Sequence, residues 1–171
     1  MENIKNELPP HIKFFFDKIR IYLDTPLYYY GSVQRYDYFP NASDIDVCIF
    51  TDHFKSTILK MQQFLNNNSS DFKKTIYHLN NRIIKGYKVI YTEPENHLFI
   101  EFTIYNECDK KYILEEHKKK IDLPIFISII LVILKFFYYQ IPIIPKQMYI
   151  YFKQFLMNTC MNKKFIKFIT N

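Results

Sequence analysis

Glycine is scarce in this chain, with two in 171 residues, so its placement is informative. Cysteine is nearly as rare. Cys48, Cys108 and Cys160 are odd in number, widely spaced and never arranged as C-x-x-C, which excludes a disulfide framework and a zinc knuckle. A reducing, cytoplasmic compartment and no disulfide-linked partner are expected. The N-terminus, MENIKNELPPHIKFFF, lacks the basic end and apolar core of a secretion signal. No apolar run reaches the roughly 20 residues that a membrane span needs. The run from Leu123 to Leu134 is 12 residues long, includes Pro124 and Ser128, and is followed by Lys135. A buried central helix is therefore expected, and no membrane partner. There is no internal repeat, and no low-complexity tract beyond the asparagine cluster at 66–68.

Acidic side chains are missing over a long stretch too. Residues 1–106 hold 12 Lys/Arg and 12 Asp/Glu, residues 107–171 hold 11 and 5, and nothing acidic follows Asp122. The net charge of +6 thus lies in the C-terminal part, where Lys135, Lys146, Lys153, Lys163, Lys164 and Lys167 follow. Such a tail suits phosphate-bearing partners, and equally a solvated lysine-rich helical surface. With 49% hydrophobic residues, 17 Phe and 15 Tyr, the chain has enough apolar surface for a core and is not disordered. Its length suits one compact domain with a helical extension.

Helical spacing of Ile12, Phe15, Phe16, Ile19 and Leu23 predicts a helix from Pro9 or Pro10 to about Leu23. Leu27 to Tyr30 reads as a short buried strand, Gly31 to Ser43 as a turn with room for one helical turn, and Asp44 to Phe50 as the next strand. Phe54, Ile58, Met61 and Leu65 share one face of a helix that stops at Asn66. Lys74 to Leu79, Ile83 to Tyr91 and His97 to Asn106 alternate as an antiparallel meander, with a turn at Asn80-Asn81. From Asp109 the pattern turns helical. Asp109 to Lys120 is charged, Asp122 can cap the apolar helix that runs to Tyr139, and Pro145 opens another with Met148, Tyr151, Phe152 and Phe155 on one face. Residues 163–169 are expected to add a short basic helix.

Leu27 to Phe50 holds the chemistry. Gly31 ends the first strand directly before Ser32, where backbone can approach a ligand closely and expose N–H groups and a hydroxyl to phosphate. Asp44 and Asp46 alternate with Ile45 and Val47, so both carboxylates project from one face. Two carboxylates that close repel and lose hydration, which a divalent cation such as Mg2+ between them relieves. Cys48 shares that face and is expected to be buried. Glu101 lies mid-strand among apolar neighbours, either paired with Arg82, Lys85 or Lys88 on the adjacent strand or serving as a third metal ligand.

Gly31-Ser32, eleven residues, Asp44-Ile45-Asp46 and a later Glu101 together resemble the DNA polymerase beta-like nucleotidyltransferase superfamily. Its members include poly(A) polymerases, CCA-adding enzymes, cyclic-dinucleotide synthases and small antitoxin-type nucleotidyltransferases. The family pattern is an apolar residue, Gly-Gly or Gly-Ser, a loop of about a dozen residues, Asp-x-Asp and a third acid on a following strand. Pro40-Asn41-Ala42-Ser43-Asp44-Ile45-Asp46 is similar to its Pro-x-Ser-Asp-Ile-Asp. The resemblance implies an α+β fold, a mixed β-sheet flanked by helices with a C-terminal helical extension. Residues 1–106 would form the catalytic core and residues 107–171 a basic extension packed on it.

The same resemblance implies that Asp44, Asp46 and Glu101 are the catalytic metal ligands, holding two Mg2+ or Mn2+ ions about 3.5–4 Å apart. One ion would activate the acceptor hydroxyl for attack on the α-phosphorus of an NTP such as ATP, and the other would neutralise the leaving pyrophosphate. Gly31 and Ser32 would hold the β and γ phosphates. Arg35 falls where small members carry an arginine. Lys135 resembles the apolar-helix lysine that touches triphosphate in poly(A) polymerases, although a lysine so placed can also snorkel to solvent. Tyr36 in place of a second glycine, a loop about one residue longer and a glutamate as third acid depart from the pattern. The implied reaction is transfer of a nucleoside monophosphate from an NTP to an acceptor hydroxyl, with RNA favoured as acceptor and protein or small-molecule acceptors left open. The alternative is an idle nucleotide- or nucleic-acid-binding module of the same fold.

Overall fold

The computed structural model describes residues 2–79 and 82–161, with backbone only at 160 and 161. The expected turn at Asn80-Asn81, the Cys160 side chain and the expected basic helix at 163–169 lie outside the described residues.

Helix α1 spans Pro10–Leu23, with Pro10 in the first turn, where a missing N–H costs no intrahelical bond. It ends at Asp24 in the left-handed conformation, φ 51°, whose N–H returns to the carbonyls of Arg20 and Ile21. Strand β1, Tyr28–Tyr30, leads into a 3-10 turn at Gly31–Gln34, and β2 is Ile45–Phe50. Helix α2, Phe54–Leu65, stops where Asn66 turns left-handed, and β3, Lys73–Leu79, β4, Arg82–Glu93, and β5, Leu98–Tyr105, follow. The strands form one sheet in the order β1-β2-β5-β4-β3. Only β2 and β5 run parallel; the remaining pairs are antiparallel. The α+β architecture with a mixed sheet is thus as expected, and β3-β4-β5 form the expected meander.

The sheet has two unlike faces because side chains alternate along each strand. Ile45, Val47 and Ile49 of β2 join Leu98, Ile100, Phe102 and Ile104 of β5 in the main core, closed by Ile12, Phe16 and Ile19 of α1 and Met61 and Leu65 of α2. On the opposite face Cys48, Phe50 and Tyr105 pack with Ile113, which lies on α3, Lys110–Ile121. Asp46 and Glu101 fall on this second face by the same alternation, and the register sets them side by side across the β2–β5 pair. Gly86 belongs to β4 opposite Tyr105, where a Cβ would lie 2.8 Å from the Ile104 carbonyl and 2.9 Å from the Tyr105 ring.

The last two helices depart from expectation. Asp122 closes α3, and α4, Ile125–Tyr139, begins after Pro124 with no side-chain cap. Far from being buried on every side, α4 buries Ile127, Ser128, Leu131, Leu134 and Lys135 and leaves Ile125, Ile129 and Ile133 at 79, 54 and 50% exposure. On α5, Lys146–Met161, the Met148, Tyr151, Phe152 and Phe155 stripe is exposed, while Tyr149 turns inward and stacks on Tyr138 of α4, ring centroids 4.1 Å apart. Periodicity marks a helix but does not say which stripe meets a neighbour. Among the described residues no single helix is long and apolar enough to cross a membrane, and α3 and α4 join only across a 77° bend.

The tight seat of Gly86 generates a stability prediction. Gly86→Ala should cost about 1–3 kcal/mol, because both the carbonyl and the ring must shift. Urea denaturation followed by circular dichroism measures it, and an unchanged midpoint would contradict the packing.

Candidate active site

The site begins with a glycine that no other residue can replace at low cost. Gly31 has φ +72°, a conformation that L side chains rarely adopt, and any Cβ there would run into the Asp46 carboxylate. The turn therefore lies directly on the β2 acid. Its back is held by the N-terminal segment: Asn6 Nδ2 donates to the carbonyls of Val33 and Arg35 at 2.8 Å each, and the Lys5 N–H donates to Gln34 Oε1 at 3.1 Å.

A cavity of about 260 Å³ opens above this turn. All seven residues singled out in the sequence line it: Gly31, Ser32, Arg35, Asp44, Asp46, Glu101 and Lys135. Grooves of about 480 and 730 Å³ run elsewhere, along the N-terminal segment and α1, and carry no comparable set of carboxylates and lysines. Lining a common cavity is not the same as performing a common task, and the seven divide into two groups.

The first group is acidic. Burial pushes the Asp46 carboxyl up to about 7, with Glu101 adding to the rise, Lys153 opposing it and Asp44 adding again. Glu101 Oε2 is paired with Lys88 Nζ at 2.6 Å, so of the three cations considered for it, Lys88 is the one that binds. Arg82 instead lies over the Tyr112 ring. The hard oxygen donors of Asp44, Asp46 and Glu101 suit Mg2+ or Mn2+, and the raised Asp46 marks negative charge short of a counter-ion. The fit is incomplete at Glu101, because among the described residues no three His, Cys, Asp or Glu side chains converge as a ready metal site. The Lys88 contact must yield for Glu101 to join the aspartates. Both side chains are more than a quarter exposed, where such pairs are worth about 1 kcal/mol or less.

The second group is basic and already engaged. Arg35 donates through Nε and Nη2 to the two Asp37 carboxylate oxygens at 2.7 and 2.9 Å, and Lys135 Nζ lies 3.0 Å from Asp37 Oδ2. All three side chains are buried. Burial alone would raise the Asp37 carboxyl, but the Arg35 hydrogen bond and the Lys135 and Arg35 charges bring it below its usual value. Burial lowers the Lys135 ammonium to about 8 against the pull of Asp37. Lys135 therefore neither snorkels to solvent nor extends freely into the cavity.

Sequence reasoning missed three participants. Asp37 was passed over, although an acid two residues from Arg35 in an otherwise uncharged loop was a usable signal. Lys120 and Lys153, from α3 and α5, also line the cavity. Lys120 is lowered by burial, with Asp46 acting in the opposite direction. Lys153 was visible only as one lysine of an acid-free tail. Beneath the floor, Cys48 is buried as expected, 3.4 Å from His117 Nε2. Burial, then Lys120, lowers His117 to about 3 and keeps it neutral.

The raised Asp46 carboxyl has a consequence for stability. Its folded pKa of about 7 exceeds the ordinary 3.8, so the folded protein holds a proton that the unfolded chain gives up, and this contribution fades as pH rises through 7. Asp46→Asn should therefore raise the melting temperature of the metal-free protein at pH 8, by about 3 °C for each kcal/mol relieved, with the gain shrinking towards pH 4. Equal shifts at both pH values would show that Asp46 is not raised.

Comparison with known proteins follows this geometry. No curated protein matches the chain. Two solved structures of the Cid1 poly(U) polymerase, with Mg 3'-dATP and with MgGTP bound, are similar to it at 14 and 15% identity with TM-scores of 0.43 and 0.41. A third, described for its structural plasticity and RNA terminal uridylyl transferase activity, is 14% identical with a TM-score of 0.42. Each match covers 75% of this chain but only 42–43% of the Cid1 chain, so this chain spans less than half the length of those structures. The family model of the nucleotidyltransferase domain matches residues 11–144, which include the glycine turn, the paired aspartates, Glu101 and Lys135. The chain belongs to the nucleotidyltransferase domain family.

Proposed function

We propose that this domain transfers a nucleoside monophosphate from an NTP to an acceptor hydroxyl, with the 3' end of RNA as the favoured acceptor. The observation that carries the reading is the meeting, in one cavity, of the Gly31-Ser32 turn, the Asp44, Asp46 and Glu101 carboxylates and the lysines at 120 and 153. Asp44, Asp46 and Glu101 are the residues that would hold Mg2+ or Mn2+. When bound, the metal lowers the pKa of a hydroxyl nucleophile and neutralises phosphate charge. Gly31 offers backbone close to the cavity and Ser32 a hydroxyl, the groups suited to phosphate oxygens. Because Arg35 and Lys135 are engaged by Asp37, Lys120 and Lys153 are the cations assigned to the triphosphate. Asp46 accepts metal only when deprotonated, so metal affinity should fall below pH 7.

The division into a catalytic core of residues 1–106 and a helical extension of residues 107–171 belongs to the same reading, supported by the lysines that α3 and α5 lend to the cavity. The acid-free stretch beyond Asp122 favours a nucleic-acid acceptor, since backbone phosphates attract clustered lysines. A reducing intracellular setting fits Cys48 and Cys108, which are both free. One observation favours a second reading: the Lys88–Glu101 ion pair supplies the third acid with a cation of its own, as an idle nucleotide-binding module would.

The two readings separate in a transfer assay with each labelled NTP, Mg2+ or Mn2+, and RNA, DNA or protein acceptors. Label should pass to RNA, and Asp44→Ala/Asp46→Ala should reduce transfer at least about 100-fold. Lys120→Ala and Lys153→Ala should each raise KM for the NTP about tenfold, the equivalent of one charge-assisted contact. Equal transfer by the double alanine variant would overturn the site, and NTP binding without transfer to any acceptor would favour the idle module.

A further inference from the structure

Lys135 is saturated. An ammonium has three N–H donors, and its Nζ has three acceptors: the Asp37 carbonyl at 2.7 Å, Asp37 Oδ2 at 3.0 Å and Ser43 Oγ at 3.2 Å. Ser43 also accepts the Phe39 N–H at 3.1 Å and directly precedes Asp44. One lysine on α4 thus holds both ends of the loop that joins the glycine turn to the aspartate pair. Arg35 ties the same loop to α3, because its Nη1 donates to the Lys120 carbonyl at 3.3 Å while Nε and Nη2 hold Asp37.

The Asp37, Arg35 and Lys135 side chains are 0, 4 and 2% exposed. Charges so buried persist only when their partners are fixed. A lysine with every donor occupied at that depth is poorly placed to follow a mobile phosphate.

We propose that Asp37 is a positioning residue, which holds Lys135 and Arg35 away from the nucleotide and uses them to fix the loop carrying Ser43 and Asp44. Lys135 then acts on the reaction through the placement of Asp44, not through a phosphate. The consequence for catalysis rests on the nucleotidyltransferase reading; the tether itself does not. Two opposite behaviours follow for the same substitution. Were Lys135 a phosphate ligand restrained by Asp37, Asp37→Asn would free it and tighten NTP binding. As a tether, Asp37→Asn and Lys135→Met share one defect: the loop loosens, transfer slows, and NTP affinity scarcely changes.

Hydrogen exchange by mass spectrometry over residues 36–44, NTP affinity by calorimetry, and kcat and KM for transfer test this in the full chain. Both variants should lose about tenfold or more of the loop's exchange protection and lower kcat about tenfold or more, with NTP affinity within about threefold of wild type. Lys135→Arg should recover part of the protection. Ser43→Ala, which removes a single acceptor and leaves the buried charges paired, gives the same reading at smaller amplitude should the charge variants fail to fold. Unchanged protection over 36–44 in the variants overturns the proposal. So does an Asp37→Asn protein that binds NTP more tightly, or a Lys135→Met protein that loses NTP affinity with its loop intact. If wild type neither binds nor transfers NTP while the variants still lose loop protection, the tether stands and the nucleotidyltransferase reading falls.

Discussion

The parallel pairing of β2 with β5 is the constraint on which the rest of the site depends. It is the one parallel contact in an otherwise antiparallel sheet, and it places residues distant in sequence, Asp46 and Glu101, directly opposite each other. A one-residue slip in that register would send Glu101 into the main core and bring Ile100 or Phe102 to the site face. The fully buried Val47, Ile49, Phe102 and Ile104 on the reverse of the same strands make such a slip prohibitive. The hydrophobic core beneath α1 and α2 is therefore what fixes the acidic pair, although it touches none of the chemistry.

Given that frame, charge is partitioned unequally. Asp37 gathers two cations and is held below its ordinary pKa, whereas Asp46, a few residues on, has none in contact and rises to about 7. Gly31 sharpens the contrast by bringing backbone where a side chain would otherwise shield the carboxylate. The result is a cavity with unspent negative charge on the strand side and lysines on the helical side. A metal-complexed polyphosphate has both signs of charge, and a site with both signs separated in space meets each with its opposite.

Much of this was legible before any coordinates. The glycine turn, the alternation of Asp44, Ile45, Asp46 and Val47, and the position of Glu101 within an alternating strand are local patterns, governed by backbone geometry that neighbours in sequence already determine. What could not be read was pairwise and long-range. Nothing in SIILVILKFFYY says that Lys135 points to a loop nearly a hundred residues earlier, and nothing near Glu101 chooses Lys88 over Arg82. The same limit explains α4 and α5: their apolar stripes identify helices, but whether a stripe is covered depends on partners that periodicity does not name.

The exposed side of α4 bears on how its buried side should be understood. A helix packed all round is held by many contacts, and one lost polar link shifts it little. Here one face alone is buried, Ile129 and Ile133 stand in the open, and α5 is the neighbouring helix stacked on it through Tyr149. The Lys135 link to Asp37 and Ser43 is then a large part of what registers α4 against the sheet. Buried ion clusters often contribute little net stability, since desolvation offsets the Coulomb gain, and their attested value is in selecting one arrangement. An apolar replacement of the cluster that preserved stability would still leave α4 free to choose its rotation, and with it the position of the loop that presents Asp44. The tether thus couples the placement of the helix to the placement of the acid, so each is specified by the same three hydrogen bonds.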